Sequence, residues 1–346
     1  MFRRREFHAA AVVVGVLAVV SVTSAMVGIP GARGTAKIAD AGGPEPGITY
    51  QVSAAGQHST LTYWTTERMW AAATAATETQ AAPAASAPKG IPSATKFSGW
   101  PTTGALFYTT GGKAHFCSAS VVDSTAGDLV LTAAHCVYGK GYSTNIEYVP
   151  QYHNKKEPYG AWPVRTITVA SGWQRTHDPD LDFAFLAVGT AGGPSIQART
   201  GGLTIGFTRW YSEKVEVIGH NDTDTDTDGD PVRCATRSFR FRTGQMEFYC
   251  HGFWTGTSGG PWIIDYNAKT GGGTVFGVIG GYEEGGDYEW ASYSAYFGSA
   301  ARTLYQQAER QATPKPKPSS SPTTSPAASP STSTSTASPT PSAATT

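Results

Sequence analysis

The sequence predicts an all-β domain closed by a single C-terminal helix, and three observations predict it. Short apolar segments of strand character recur between positions 105 and 279, clusters of Gly, Pro and Asp separate them, and the long helical pattern, Gly298 to Gln311, comes last. The strand candidates are Ala105–Tyr108, Leu129–Leu131, Arg165–Val169, Phe183–Val188, Val215–Ile218 and Thr274–Ile279. Several alternate or are rich in β-branched residues, which suit a pleated, half-buried surface. The foldable domain therefore spans about 96–307.

Both ends of the chain read differently. Residues 1–25 open with Arg3, Arg4 and Arg5, continue through the apolar run Ala9 to Val20 and reach the small residues Thr23, Ser24 and Ala25, the pattern of a signal peptide. Cleavage after Ala25 is favoured over a second site after Ala36, and the run is shorter than the roughly 20 residues a membrane span needs. Residues 26–95 are dominated by Ala, Thr, Gly and Pro and cannot bury much of a core. They read as a prosegment and linker, with one island, Tyr63 to Ala73, where Thr65 or Thr66 caps a short docking helix, and with Ala81 to Pro92 as the stretch to be cut. Residues 312–346 are almost entirely Pro, Ser, Thr and Ala, an extended, disordered stalk or wall-spanning tail open to O-linked sugar and cell-wall association.

Charge and cysteine content narrow the class. Lys and Arg together number 26, as do Asp and Glu, so no strong field recommends nucleic acid or an anionic membrane as partner. The four cysteines, Cys117, Cys136, Cys234 and Cys250, form an even set in an exported chain and read as two disulfides. Of three pairings, Cys117–Cys136 and Cys234–Cys250 close the shortest loops. The rival zinc reading lacks any CxxC or close Cys/His spacing, so no metal and no cofactor is expected.

Three stretches carry chemistry, and they occur in a fixed order: Leu131-Thr132-Ala133-Ala134-His135-Cys136, Asp180-Leu181-Asp182-Phe183-Ala184 and Gly256-Thr257-Ser258-Gly259-Gly260-Pro261. A serine hydroxyl is a poor nucleophile near neutral pH, so an imidazole must take its proton and a buried carboxylate must hold that imidazole in the right tautomer. The three stretches resemble the His, Asp and Ser signatures of the chymotrypsin-like serine peptidases, especially their secreted bacterial branch. The resemblance covers about Phe97 to Leu304, and the island around Trp64 to Met69 is similar to the prosegment of those bacterial enzymes.

That resemblance implies two antiparallel β-barrels with the site between them, a secreted, monomeric endopeptidase acting on a polypeptide substrate, and definite roles. His135 is the general base, Asp182 its orienting acid, Ser258 the nucleophile, and the N–H groups of Gly256 and Ser258 form the oxyanion hole. Asp180 competes with Asp182 for the acid's role; the family places the acid immediately before the apolar strand, which favours Asp182. Gapless counting puts Gly252, Phe253, Gly280 and Gly281 in the specificity pocket with Tyr282 near its mouth, a lining that favours an uncharged side chain. A loop shift would instead bring in Glu283, Glu284 or Asp287.

The chain also departs from the family. Thr257 stands where the animal digestive members carry an Asp that pairs with a new N-terminus, and Gly280 and Gly281 stand where many members have a Ser supporting the buried acid. A maturation cut near Phe97, without such an ion pair, is the corresponding expectation. An α/β-hydrolase elbow also fits Gly256 to Gly260, but it needs a histidine after the serine and none follows His251. The alternative of another class is a protease-fold binding module that has lost turnover. An EF-hand-like start at Asp224 lacks its bidentate Glu, since the twelfth position is Ala235. The tryptophans, together with His115, His153, His177, His220 and His251, are read as structural.

Overall fold

The computed structural model describes residues 45–74, 86–189, 193–222 and 228–312. The expected signal peptide, residues 26–44 and 75–85 of the expected prosegment and linker, residues 223–227 of the Asp-rich stretch and the Pro/Ser/Thr-rich tail after residue 312 lie outside the described residues. The first half contributes strands β1 (Gly47–Gln51), β2 (Thr95–Lys96), β3 (Thr103–Thr110), β4 (Lys113–Val121), β5 (Leu129–Thr132), β6 (Thr144–Pro150), β7 (Trp162–Ala170) and β8 (Ala184–Val188). The second contributes β9 (Thr204–Ile205), β10 (Lys214–Gly219), β11 (Val232–Arg242), β12 (Gln245–Tyr249), β13 (Pro261–Asn267), β14 (Gly272–Val278) and β15 (Ala291–Ala295). Helices are α1 (Ala54–Tyr63), α2 (Thr66–Thr74), α3 (Ser171–Thr176), α4 (Ile196–Thr200) and α5 (Ser299–Ala312). Among the described residues no helix is long and apolar enough to cross a membrane.

Six strands, β7, β6, β3, β4, β5 and β8, close into an antiparallel barrel through the β7–β8 pairing. Closure removes sheet edges and packs Leu106, Val130, Ile167, Leu186 and Val188 into a dry interior, the main source of stability. The second sheet runs β15-β12-β11-β10-β13-β14-β9, antiparallel except for β9 on β14. It curls far enough that Gly280, just beyond β14, donates its N–H to the Tyr293 carbonyl of β15 at 3.0 Å. All six predicted strand segments fall within strands or run a residue or two past their ends, and the terminal helix is α5.

Two features extend upstream of the expected domain start. β2 pairs with β11, and Pro92 and Ala94 exchange backbone hydrogen bonds with His251, so the segment before Phe97 is already part of the second sheet's wall. Farther upstream, β1 pairs with residues 166–170 of β7 on the edge that β6 vacates after Pro163.

The disulfides join Cys117 to Cys136 and Cys234 to Cys250, over sequence separations of 19 and 16. Loops of that length contribute on the order of 3 kcal/mol each by restricting the unfolded chain. Replacing Cys117 and Cys136 together with Ala should therefore lower the melting temperature by roughly 6–12 °C, measured by calorimetry under reversible conditions.

Candidate active site

His135 sits in the turn that follows β5. Ala133 and Ala134 are fully buried and anchor that turn, and the Cys117–Cys136 bond ties it to β4. The 3₁₀ turn Pro179–Leu181, capped by the Asp178 side chain, delivers Asp182 directly beneath it. Asp182 is 0 % exposed. Its Oδ1 accepts the backbone N–H of His135 at 2.9 Å, and its Oδ2 faces His135 Nδ1 at 2.8 Å. A third donor comes from the other half of the molecule: the Gly281 N–H reaches Oδ2 at 2.8 Å. A buried carboxylate is tolerated when its lone pairs are met in this way. Asp180 is spent elsewhere, accepting from Gln245 at 2.8 Å and pairing with Arg242.

Ser258 occupies a turn that only glycine neighbours allow. Gly256 and Gly259 have φ of +95° and +79°, and a Cβ on either would lie 2.1–2.2 Å from Phe116 or from the Ser118 carbonyl and the Thr132 hydroxyl. The turn is pinned by the Ser118 N–H donating to the Ser258 carbonyl at 2.7 Å, while the buried Ser118 hydroxyl donates to the Gly256 carbonyl at 3.0 Å and accepts from the His220 N–H. The peptide that carries the Gly256 N–H is held in turn by its own carbonyl, that of Thr255, which accepts from the Asp222 N–H at 2.8 Å. Among the described hydrogen bonds, neither the Gly256 nor the Ser258 N–H has a protein acceptor. The Ser258 hydroxyl itself donates to the Glu284 carbonyl at 3.5 Å rather than to His135.

These groups share a cleft of about 390 Å³. Its lining differs from the pocket expected from counting. Phe253 is on the wall, but Gly252 packs against Ala94, Gly280 and Gly281 close over Asp182, and Tyr282 joins an aromatic cluster with Phe241 and Tyr293. The wall is supplied instead by residues 283–289, which bring in Glu283, Glu284, Asp287 and Glu289, and by Ser292. Glu289 is partly engaged by the Gly252 N–H and His251. His115 also lines the cleft, its ring stacked on Tyr108. Ser118, which lacks a motif of its own, was invisible to sequence reasoning; its place beside Cys117 is the sole signal. Cys117, His135 and Cys136 lie within ligand distance of one another, but the disulfide leaves no thiolate for a metal.

The sequence model of the trypsin family matches residues 92–297. No curated protein sequence matches the chain. Among solved structures, the protease Anisep from Arthrobacter nicotinovorans is similar at a TM-score of 0.57 and 23% identity, covering 63% of this chain and 99% of that one. A thermostable serine protease, AL20, from an extremophilic microorganism gives 0.56 at 24% identity, covering 61% and 97%. A Glu endopeptidase in complex with MPD gives 0.51 at 19% identity, covering 64% and 99%. At these identities the likeness is one of fold.

Burial alone would depress the His135 pKa, but the Asp182 charge and hydrogen bond, reinforced by Glu284, raise it on balance above the usual imidazole value. Glu284→Gln removes one anion and should lower the His135 pKa in an NMR titration of the imidazole. Asp287→Asn, aimed at an anion that does not act on the ring, should leave it unchanged.

Proposed function

The chain belongs to the trypsin family, and from that premise we propose that it is a secreted serine endopeptidase working through an acyl-enzyme. The observation that carries the proposal is the dry Asp182 carboxylate gripping His135 through both its backbone N–H and Nδ1, beside Ser258 in one cleft. In this reading the Ser258 hydroxyl swings from the Glu284 carbonyl toward His135 Nε2. It gives up its proton there as Oγ attacks the scissile carbonyl carbon. The oxygen that gains charge meets the N–H groups of Gly256 and Ser258, each such donor being worth about 2.7–4 kcal/mol of transition-state stabilisation. The imidazolium then protonates the departing amine. Water, deprotonated by the same ring, releases the acyl group and restores Ser258. Export is supported by the two disulfides, which persist in oxidising compartments.

Activation needs no new N-terminal ion pair in this reading. Thr257 is buried and uncharged, its hydroxyl donating to the Trp254 carbonyl, and the wall it would order is already held by the pairing of Pro92 and Ala94 with His251. The start of the active domain therefore lies before Pro92 rather than near Phe97. The acidic wall also revises substrate choice. Burial and contact with Asp287 raise the Glu283 pKa, and a cationic side chain relieves that crowding of carboxylates. The preferred residue at the cleaved bond is therefore Arg or Lys, in place of the uncharged residue that counting suggested.

Two measurements on the purified chain test this reading. A fluorophosphonate probe should label the protein, and labelling should vanish in Ser258→Ala and His135→Ala; no labelling of the unaltered chain would favour the inactive binding module. A peptide library should show cleavage after Arg or Lys, with Glu283→Gln/Asp287→Asn lowering kcat/KM for those peptides roughly tenfold to a hundredfold. A profile dominated by apolar residues would remove the role given to the acidic wall.

A further inference from the structure

The segment upstream of the family match is built into the first barrel. Glu45 accepts from the Ser171 hydroxyl and the Gly172 N–H at 2.8 and 2.7 Å. β1 supplies five residues to the open edge of β7, and the side-chain amide of Gln307 in α5 bonds both the N–H and the carbonyl of Gly47. Beyond β1, α1 and α2 lay Trp64, Met69, Ala72 and Ala73 on Phe107, Phe116, Val149 and Tyr152, forming a second apolar cluster on the outside of the barrel. The Trp64 indole N–H donates to the Asn145 carbonyl at 2.6 Å, and Thr65 caps α2. A removable spacer would have no use for a strand in the sheet and a shared core.

Under that cluster lies an acid the catalytic site does not use. On β6, Ile146 and Tyr148 point into the barrel, whereas Val149 and the cross-strand neighbour Phe107 point outward beneath Trp64. Glu147 shares the outward face. It is 1 % exposed, and neither carboxylate oxygen has a hydrogen-bond partner. Burial and Glu157 are what act on its carboxyl; the cations nearby are engaged elsewhere, Lys155 over the Trp70 ring of α2 at 4.3 Å and His220 donating from Nε2 to the Tyr152 carbonyl. Tyr152, on the loop after β6, buries a hydroxyl that is likewise unpartnered, and Glu157 beyond it is an acid. His58 on α1 and Glu67 and Arg68 on α2 are exposed, and Arg165 on β7 is turned to Asp128.

We propose that residues 45–74 stay bound to the outer face of the first barrel as a non-covalent companion after the chain is cut upstream of residue 86, and that Glu147 makes this grip strong in acid and weak in alkali. A carboxylate buried without partners is held only in its neutral form. Burial, with the nearby Glu157, pushes the Glu147 pKa up to about 8 from 4.5. Uncovering the face returns it to water. A group whose pKa is higher in the docked state favours docking fully below the undocked value and loses that contribution as pH rises toward the docked value. Affinity for the segment should accordingly fall by roughly a few hundredfold between pH 5 and pH 8.

The test uses the full chain in a Ser258→Ala background, so that no self-cleavage contributes, with a specific-protease site placed within residues 78–83. After cutting, the N-terminal fragment should co-elute with the domain on gel filtration at pH 5 and be lost progressively toward pH 9. Glu147→Gln should retain it at both, and Trp64→Ala should weaken retention at every pH while keeping the slope. Loss of the fragment at pH 5 in the unaltered chain would overturn the proposal. So would a pH slope that survives in Glu147→Gln.

Discussion

One buried carboxylate organises this molecule. Asp182 belongs to the first half by sequence, yet its two oxygens are met by two donors from His135 and one from Gly281 in the second half. Because Asp182 is fully buried, every donor matters: an unmet lone pair on a buried charge costs far more than a hydrogen bond returns. The positions of β5, the 3₁₀ turn before Asp182 and the turn after β14 are thus coupled through a single side chain. The departure from family pattern at Gly280 and Gly281 is resolved in the same place: a backbone N–H does the work a serine hydroxyl does elsewhere, and a side chain at Gly280 would crowd the carboxylate.

The serine turn meets this frame through backbone rather than charge. Gly256 and Gly259 allow the chain to pass within contact of Phe116, Ser118 and Thr132, and Ser118 then holds the Gly256 carbonyl. The result is a pair of unspent N–H groups next to a hydroxyl, in a cleft whose opposite wall is acidic. In that wall Glu283 and Glu284 both adopt left-handed backbone, at φ of 50° and 52°, a conformation that costs about 1–3 kcal/mol per residue. That strain places the Glu284 carbonyl against Ser258 and the Glu284 charge near His135.

Much of this was legible in the sequence because it is local. Apolar runs such as Phe183 to Val188 had to be strands, the helical pattern after Gly298 had to be a helix, and three short signatures in order named the residues that meet in the cleft. What stayed hidden depends on partners far along the chain. β4 and β11 carry His, Ser, Lys and Arg among their apolar residues and so lack an apolar run, and β1 becomes a strand only because β7 has an edge to fill. The counted pocket and the lining of the cleft differ because counting across Trp254 and the residues after β14 assumes the family's loop lengths, whereas here the Gly281 N–H is given to Asp182 and residues 283–289 line the cleft. Glu147 reads as a solvated charge until the helices that cover it are in place.

The claim on which the account rests is that Asp182, and not its neighbour Asp180, holds the His135 imidazole. The far-downfield proton NMR spectrum reports the His135 Nδ1 proton bonded to a carboxylate directly. The account predicts such a resonance in the unaltered chain, its loss in Asp182→Asn and its persistence in Asp180→Asn. Loss in Asp180→Asn with persistence in Asp182→Asn would contradict it.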